Sequence, residues 1–145
     1  MKRRILLVDD DLTVLLTLKA VLELHGFSVD TAASTAEAFR RLESGAYQMV
    51  ITDLRMETED AGLEVIRMAR RQSYDPATAL LTAYPPSAAH WKEDSAQSLL
   101  VKPLGTENLI RQLEALLIRH EDNKQTRLRR LASAAPPRVS ERKAS

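Results

Sequence analysis

At 145 residues with 44% apolar side chains, the chain has room for one domain with a real core and is too apolar to be unstructured throughout. It holds no cysteine, which excludes a disulfide framework and any thiolate metal site. The formal net charge of +1 conceals an asymmetry: residues 1–118 carry 13 basic and 17 acidic side chains, whereas residues 119–145 carry 8 basic and 3 acidic.

The opening Met1-Lys2-Arg3-Arg4 followed by Ile5-Leu6-Leu7-Val8 begins as a signal peptide would, but Asp9-Asp10-Asp11 ends the apolar run at once. Ile5 to Val8 therefore predicts a central parallel strand, buried on both faces and ending in acid. Val14, Leu15, Leu18, Val21 and Leu22 recur at helical spacing, and His25-Gly26 supplies a stop. Phe27 to Ala32 alternates as a second strand, after which Ser34-Thr35-Ala36-Glu37 forms a capping box for a helix bearing Ala38, Phe39 and Leu42. Tyr47 to Thr52 is a third strand ending at Asp53, and Leu63, Val65, Ile66, Met68 and Ala69 mark the helix after it. Thr78 to Leu81 is a fourth strand ending at Thr82. Pro85-Pro86 then lets a fourth helix begin only around Pro86, so that helix is expected to be short or irregular. Ser98 to Val101 is a fifth strand ending at Lys102-Pro103, and Thr106 caps a last helix with Leu109, Ile110, Leu113, Leu116 and Leu117 on one face. From 121 to 145 the chain is basic and poor in large apolar residues, with Ala134-Ala135-Pro136-Pro137 inside it, and a disordered tail is expected beyond a domain at 1–120.

Five strand–helix units in strict alternation predict an α/β fold: a doubly wound parallel sheet ordered 2-1-3-4-5, helices on both faces, and a crevice at the carboxyl ends of the strands. That rule names the residues that should converge: Asp9, Asp10, Asp53, Thr82 and Lys102. Two carboxylates ~4 Å apart repel by ~4 kcal/mol at an effective dielectric of 20, so three together call for a hard cation, and an all-oxygen donor set suits Mg²⁺. With the metal and Lys102 neutralising phosphoryl oxygens, a carboxylate can attack phosphorus.

Leu7-Val8-Asp9-Asp10-Asp11, Thr52-Asp53-Leu54-Arg55-Met56, Leu81-Thr82-Ala83 and Val101-Lys102-Pro103-Leu104 resemble, in order and spacing, the motifs of response-regulator receiver domains of bacterial two-component signalling. The resemblance runs from residue 3 to about 120 and implies a flavodoxin-like (βα)5 fold. It makes Asp53 the phosphoacceptor, with Asp10, Asp53 and the Arg55 carbonyl ligating Mg²⁺, Asp9 holding the metal through water, and Thr82 and Lys102 binding the phosphoryl group. It also implies a cis Lys102-Pro103 peptide. A cytoplasmic, stand-alone receiver is expected, fed by a histidine kinase or histidine phosphotransfer protein. Its output would pass to a protein partner, or to a second copy through the helix-four, strand-five, helix-five face. No enzymatic turnover beyond self-catalysed phosphorylation and dephosphorylation is expected, nor any membrane contact.

Three features depart from the family pattern. Met56-Glu57-Thr58-Glu59-Asp60-Ala61-Gly62 is one residue longer than usual and lacks the proline that commonly follows the methionine. Leu99 stands where a rotating Tyr or Phe is common, and the interval from Thr82 to Lys102 is short. Trp91, with Tyr84 and His90, is a candidate interaction patch, while the basic tail lacks the interleaved aromatics of a nucleic-acid binder. Two alternatives stay open: a receiver-like scaffold that works without phosphorylation, and a Mg²⁺-dependent phosphatase of haloacid-dehalogenase type using Asp9 and Asp11 as its Asp-x-Asp pair.

Overall fold

The computed structural model of the chain describes residues 2–82, 98–101 and 105–134. Five parallel strands form one sheet: β1 (Arg4–Val8), β2 (Ser28–Ala32), β3 (Met49–Thr52), β4 (Ala77–Thr82) and β5 (Ser98–Val101), in the order β2-β1-β3-β4-β5. The pleat sends alternate residues of β1 to opposite layers, Ile5 and Leu7 to one and Leu6 and Val8 to the other, which is why all four are apolar. On the first face the core is completed by α1 (Leu12–Leu24) and the last helix (Thr106–Ala134), through Leu15, Leu22, Leu113 and Leu116. On the second it is completed by α2 (Thr35–Ser44) and α3 (Ala61–Arg70), through Ala38, Leu42, Val65 and Ala69. The predicted fold is the observed one. The expected fourth helix, the Trp91 patch and the Lys102-Pro103 peptide lie outside the described residues.

Local signals act as their chemistry requires. Asp11 caps α1 by accepting the Thr13 and Val14 amides. At the other end Gly26, at φ +92°, closes a Schellman turn in which the Phe27 amide donates to Leu22 O and the Gly26 amide to Glu23 O. Ser34 Oγ accepts the Glu37 amide, and the Glu37 carboxylate reaches back to the Ala33 amide, one residue earlier than a strict capping box. The last helix starts at Thr106, with the Gly105 carbonyl accepting the Leu109 amide, so Thr106 is its first residue and not its cap.

One expectation is corrected. Residues 121–134 are helical, not disordered: the last helix runs 29 residues, to Ala134. Extending an existing helix avoids the nucleation penalty, so a segment unable to order alone can still propagate. Tertiary contacts then hold it against the turn between α3 and β4. His120 Nε2 lies 2.8 Å from Asp75 O, Lys124 Nζ donates to Tyr74 O at 3.4 Å, and Arg127 pairs with the Asp75 carboxylate at 2.8 Å.

Candidate functional site

The register decides which acids meet. Val8 of β1 stands opposite Thr52 of β3, so Asp9 and Asp53 leave the carboxyl edge of the sheet side by side. Their backbones stay tied to that edge: the Asp53 amide donates to Val8 O at 2.8 Å and the Asp9 amide to Ala32 O at 3.1 Å. Asp9 is buried, and its Oδ1 accepts the Asp11 amide at 2.9 Å, which turns the chain into α1. Asp10 is exposed at the mouth and Asp53 is half-buried. One carboxylate oxygen from each of the three lies within 4.8 Å of the others.

Asp10 is held above its ordinary carboxylate range, first by desolvation of its carboxyl and then by the charges of Asp9 and Asp53. The neighbouring carboxylates thus disfavour the charged form of Asp10, an effect that a bound cation would reverse. The donor set offers only carboxylate oxygens, with no imidazole or thiolate, so it fits a hard divalent ion such as Mg²⁺ and not a soft one. The Asp-x-Asp alternative needs Asp11 in the cluster. Its side chain is instead the cap of α1, bonded to two amides of that helix.

Asp53 itself is held by its neighbours. Its Oδ1 accepts the Leu54 amide at 2.7 Å, and its carbonyl accepts the Thr52 hydroxyl at 2.8 Å. Gly62, in the first turn of α3, packs directly on this peptide, and its amide donates to Leu54 O at 2.8 Å. A Cβ at Gly62 would fall 2.1 Å from Asp53 O, a space only glycine leaves. The sequence shows that glycine, but nothing in its spacing says what it approaches.

Thr82 is buried at the end of β4, its backbone paired with Val101 of β5. Lys102, the next residue after that strand, lies outside the described residues. Arg55 is exposed in the loop two residues past Asp53. The same loop holds a contact the sequence did not signal: the Glu57 carboxylate accepts both the amide and the hydroxyl of Thr35, the first residue of α2, at 2.9 Å each. Burial would raise the Glu57 carboxyl, but these and its own backbone hydrogen bond outweigh it and hold the group below its ordinary range.

A doubly wound sheet with clustered acids at its carboxyl edge defines the class: a flavodoxin-like α/β domain whose crevice suits a hard cation. The response regulator receiver domain family matches residues 5–114. The transcriptional regulatory protein BasR of Escherichia coli (strain K12) is 31% identical over 127 residues, covering 86% of this chain and 57% of that protein. The alginate biosynthesis transcriptional regulatory protein AlgB of Pseudomonas aeruginosa is 36% identical over 132 residues, covering 82% of this chain and 29% of its own length. The chain thus spans about half or less of the curated relatives it matches. Among solved structures, a CheY-like receiver domain protein from Methanospirillum hungatei superposes with a TM-score of 0.78 at 22% identity, over 85% of this chain and 99% of that one. The response regulator TrrA from Thermotoga maritima, solved in complex with Mg²⁺-BeF, is 33% identical with a TM-score of 0.66, over 79% of this chain and 98% of that one. This chain belongs to the response regulator receiver family of two-component systems, whose domains are signalling phosphoacceptors.

Proposed function

We propose that Asp53 accepts a phosphoryl group from a histidine kinase or a histidine phosphotransfer protein. The observation that carries this reading is the meeting of Asp9, Asp10 and Asp53 at one edge of the sheet, where their oxygens lie within 4.8 Å of one another. An Asp53 carboxylate oxygen forms the new bond to phosphorus while the bond from phosphorus to the donor's imidazole nitrogen breaks. The Leu54 amide, bonded to Oδ1, fixes the carboxylate's orientation for that approach.

Asp10, Asp53 and the Arg55 carbonyl would hold Mg²⁺ directly, with Asp9 acting through water. When bound, the metal neutralises charge on the acids and on the phosphoryl oxygens. Thr82, at the end of β4, and Lys102, after the strand that pairs with it, would donate to the phosphoryl oxygens. An aspartyl phosphate adds about −2 charge beside a loop already carrying Glu57, Glu59 and Asp60, enough to reorganise it. Signal then leaves through protein contacts, with a partner or a second copy engaging the surface around β5, in a cytoplasmic setting.

Intact-mass analysis after incubation with acetyl phosphate and Mg²⁺ tests it. A gain of one phosphoryl group, lost on adding EDTA and lost in Asp53→Asn, is the expected result. A gain that persists in Asp53→Asn would move the acceptor elsewhere, and no gain with Mg²⁺ bound would favour a scaffold that works without phosphorylation.

A further inference from the structure

The loop between β3 and α3 is held at its base by the bond from the Gly62 amide to Leu54 O and within itself by one from the Met56 amide to Thr58 O. At its outer lip Glu57 reaches a different element: Oε2 takes the Thr35 amide and Oε1 the Thr35 hydroxyl. Thr35 is 22 positions away in sequence, at the start of α2, where helix amides lack intrahelical partners and the macrodipole favours an anion. Ser34 already serves the Glu37 amide, so Glu57 completes the cap from a different element.

We propose that Glu57 is a positioning residue, a strap that fixes the phosphoacceptor loop to α2 and so holds the Arg55 carbonyl where a metal can use it. The proposal rests on the reading of the metal site above. No proline stiffens the segment from Leu54 to Asp60, so ordering it costs conformational entropy that metal binding would otherwise have to supply. A ligand carbonyl two residues from a bidentate anchor is pre-organised, and pre-organisation appears as affinity. Because Glu57 is exposed, the strap adds little to global stability while controlling local order. Metal affinity and melting temperature should therefore respond separately.

Removing Glu57 would also delete a charge near the metal, so the decisive variant is on the other partner. Thr35→Pro eliminates the amide hydrogen and the hydroxyl together without altering any charge. Proline is favoured at the first position of a helix, and Ser34, at φ −156° and ψ 166°, already has the extended conformation a following proline requires. Calorimetric titration of the full chain with Mg²⁺ should show affinity weakened about threefold to tenfold. Phosphorylation by acetyl phosphate should recover at saturating Mg²⁺, and melting in EDTA should stay within about 2 °C of wild type.

Thr35→Val, which loses only the hydroxyl, should give a smaller weakening and decides the matter if the proline variant does not fold. Wild-type affinity in a folded Thr35→Pro, or in Thr35→Val when the proline variant is unfolded, would overturn the strap. So would a loss seen in Glu57→Gln but absent from Thr35→Pro, which would make the carboxylate's role one of charge. A wild-type chain that binds no Mg²⁺ at all would overturn the metal site and this proposal with it.

Discussion

Replacing Gly62 by alanine places a methyl group where the structure has none to spare. The new Cβ would lie 2.1 Å from Asp53 O, 2.7 Å from Leu54 Cα and 2.9 Å from Asp53 C, all of them backbone atoms that cannot rotate away as a side chain would. Ordinary contact requires roughly 3.5 Å, so either α3 or the phosphoacceptor peptide must shift by about 1 Å or more. Overpacking of this kind costs about 1–3 kcal/mol, and losing the bond from the Gly62 amide to Leu54 O adds about 1 kcal/mol. At roughly 3–5 °C per kcal/mol for a domain of this size, melting should fall by about 6–20 °C. The displaced peptide carries Asp53, so the rate of phosphorylation by acetyl phosphate should fall in the same variant at a temperature where it remains folded. Thermal denaturation followed by circular dichroism, with intact-mass kinetics at 15–20 °C below the variant's own midpoint, as a rough working margin, reads both effects. A Gly62→Ala protein that melts and phosphorylates like wild type would refute the close approach and the positioning role derived from it.

Two further outcomes follow from electrostatics. Asp10→Asn relieves one of three mutually repelling carboxylates, so the metal-free variant should be more stable by roughly 1 kcal/mol after solvent screening. Mg²⁺ at a hundred times its dissociation constant should stabilise wild type by about 2.7 kcal/mol and the variant far less, giving opposite signs with and without metal in paired melting curves. Asp30 sits below its ordinary range: burial opposes this, but hydrogen bonds from Tyr47 Oη and Arg4, each 2.8 Å from Oδ2, outweigh it. A depressed folded pKa contributes stability that is present above 3.8 and lost as pH falls through the lower folded value. Asp30→Asn should therefore cost on the order of 1 kcal/mol near neutrality, and the gap to wild type should close in denaturant titrations taken below pH 3.8.

The sequence by itself determined the architecture and the positions of the acids. A four-residue apolar run ending in Asp9-Asp10-Asp11 can only be a strand buried on both faces, and repetition of that grammar with helices between gives a parallel sheet with its crevice at the strand ends. Periodicity of burial is a local property, so it is legible in a linear string, as are Asp11, Ser34 and Gly26 at the helix ends. The convergence of Asp9 with Asp53 was legible too, because a parallel register leaves few other arrangements.

What only the tertiary structure decided are contacts between residues far apart in sequence whose types are common. Glu57 in an acidic loop reads as a solvated charge until Thr35 is found on it, and Gly62 reads as a helix start until Asp53 O is found beneath it. The stretch from 121 to 134 fails any local test for order, yet it is helical because a helix already nucleated by the buried leucines runs into it and Asp75 meets it there. Local sequence fixes what a segment buries, whereas an exposed hydrogen bond depends on where two unrelated segments come to rest.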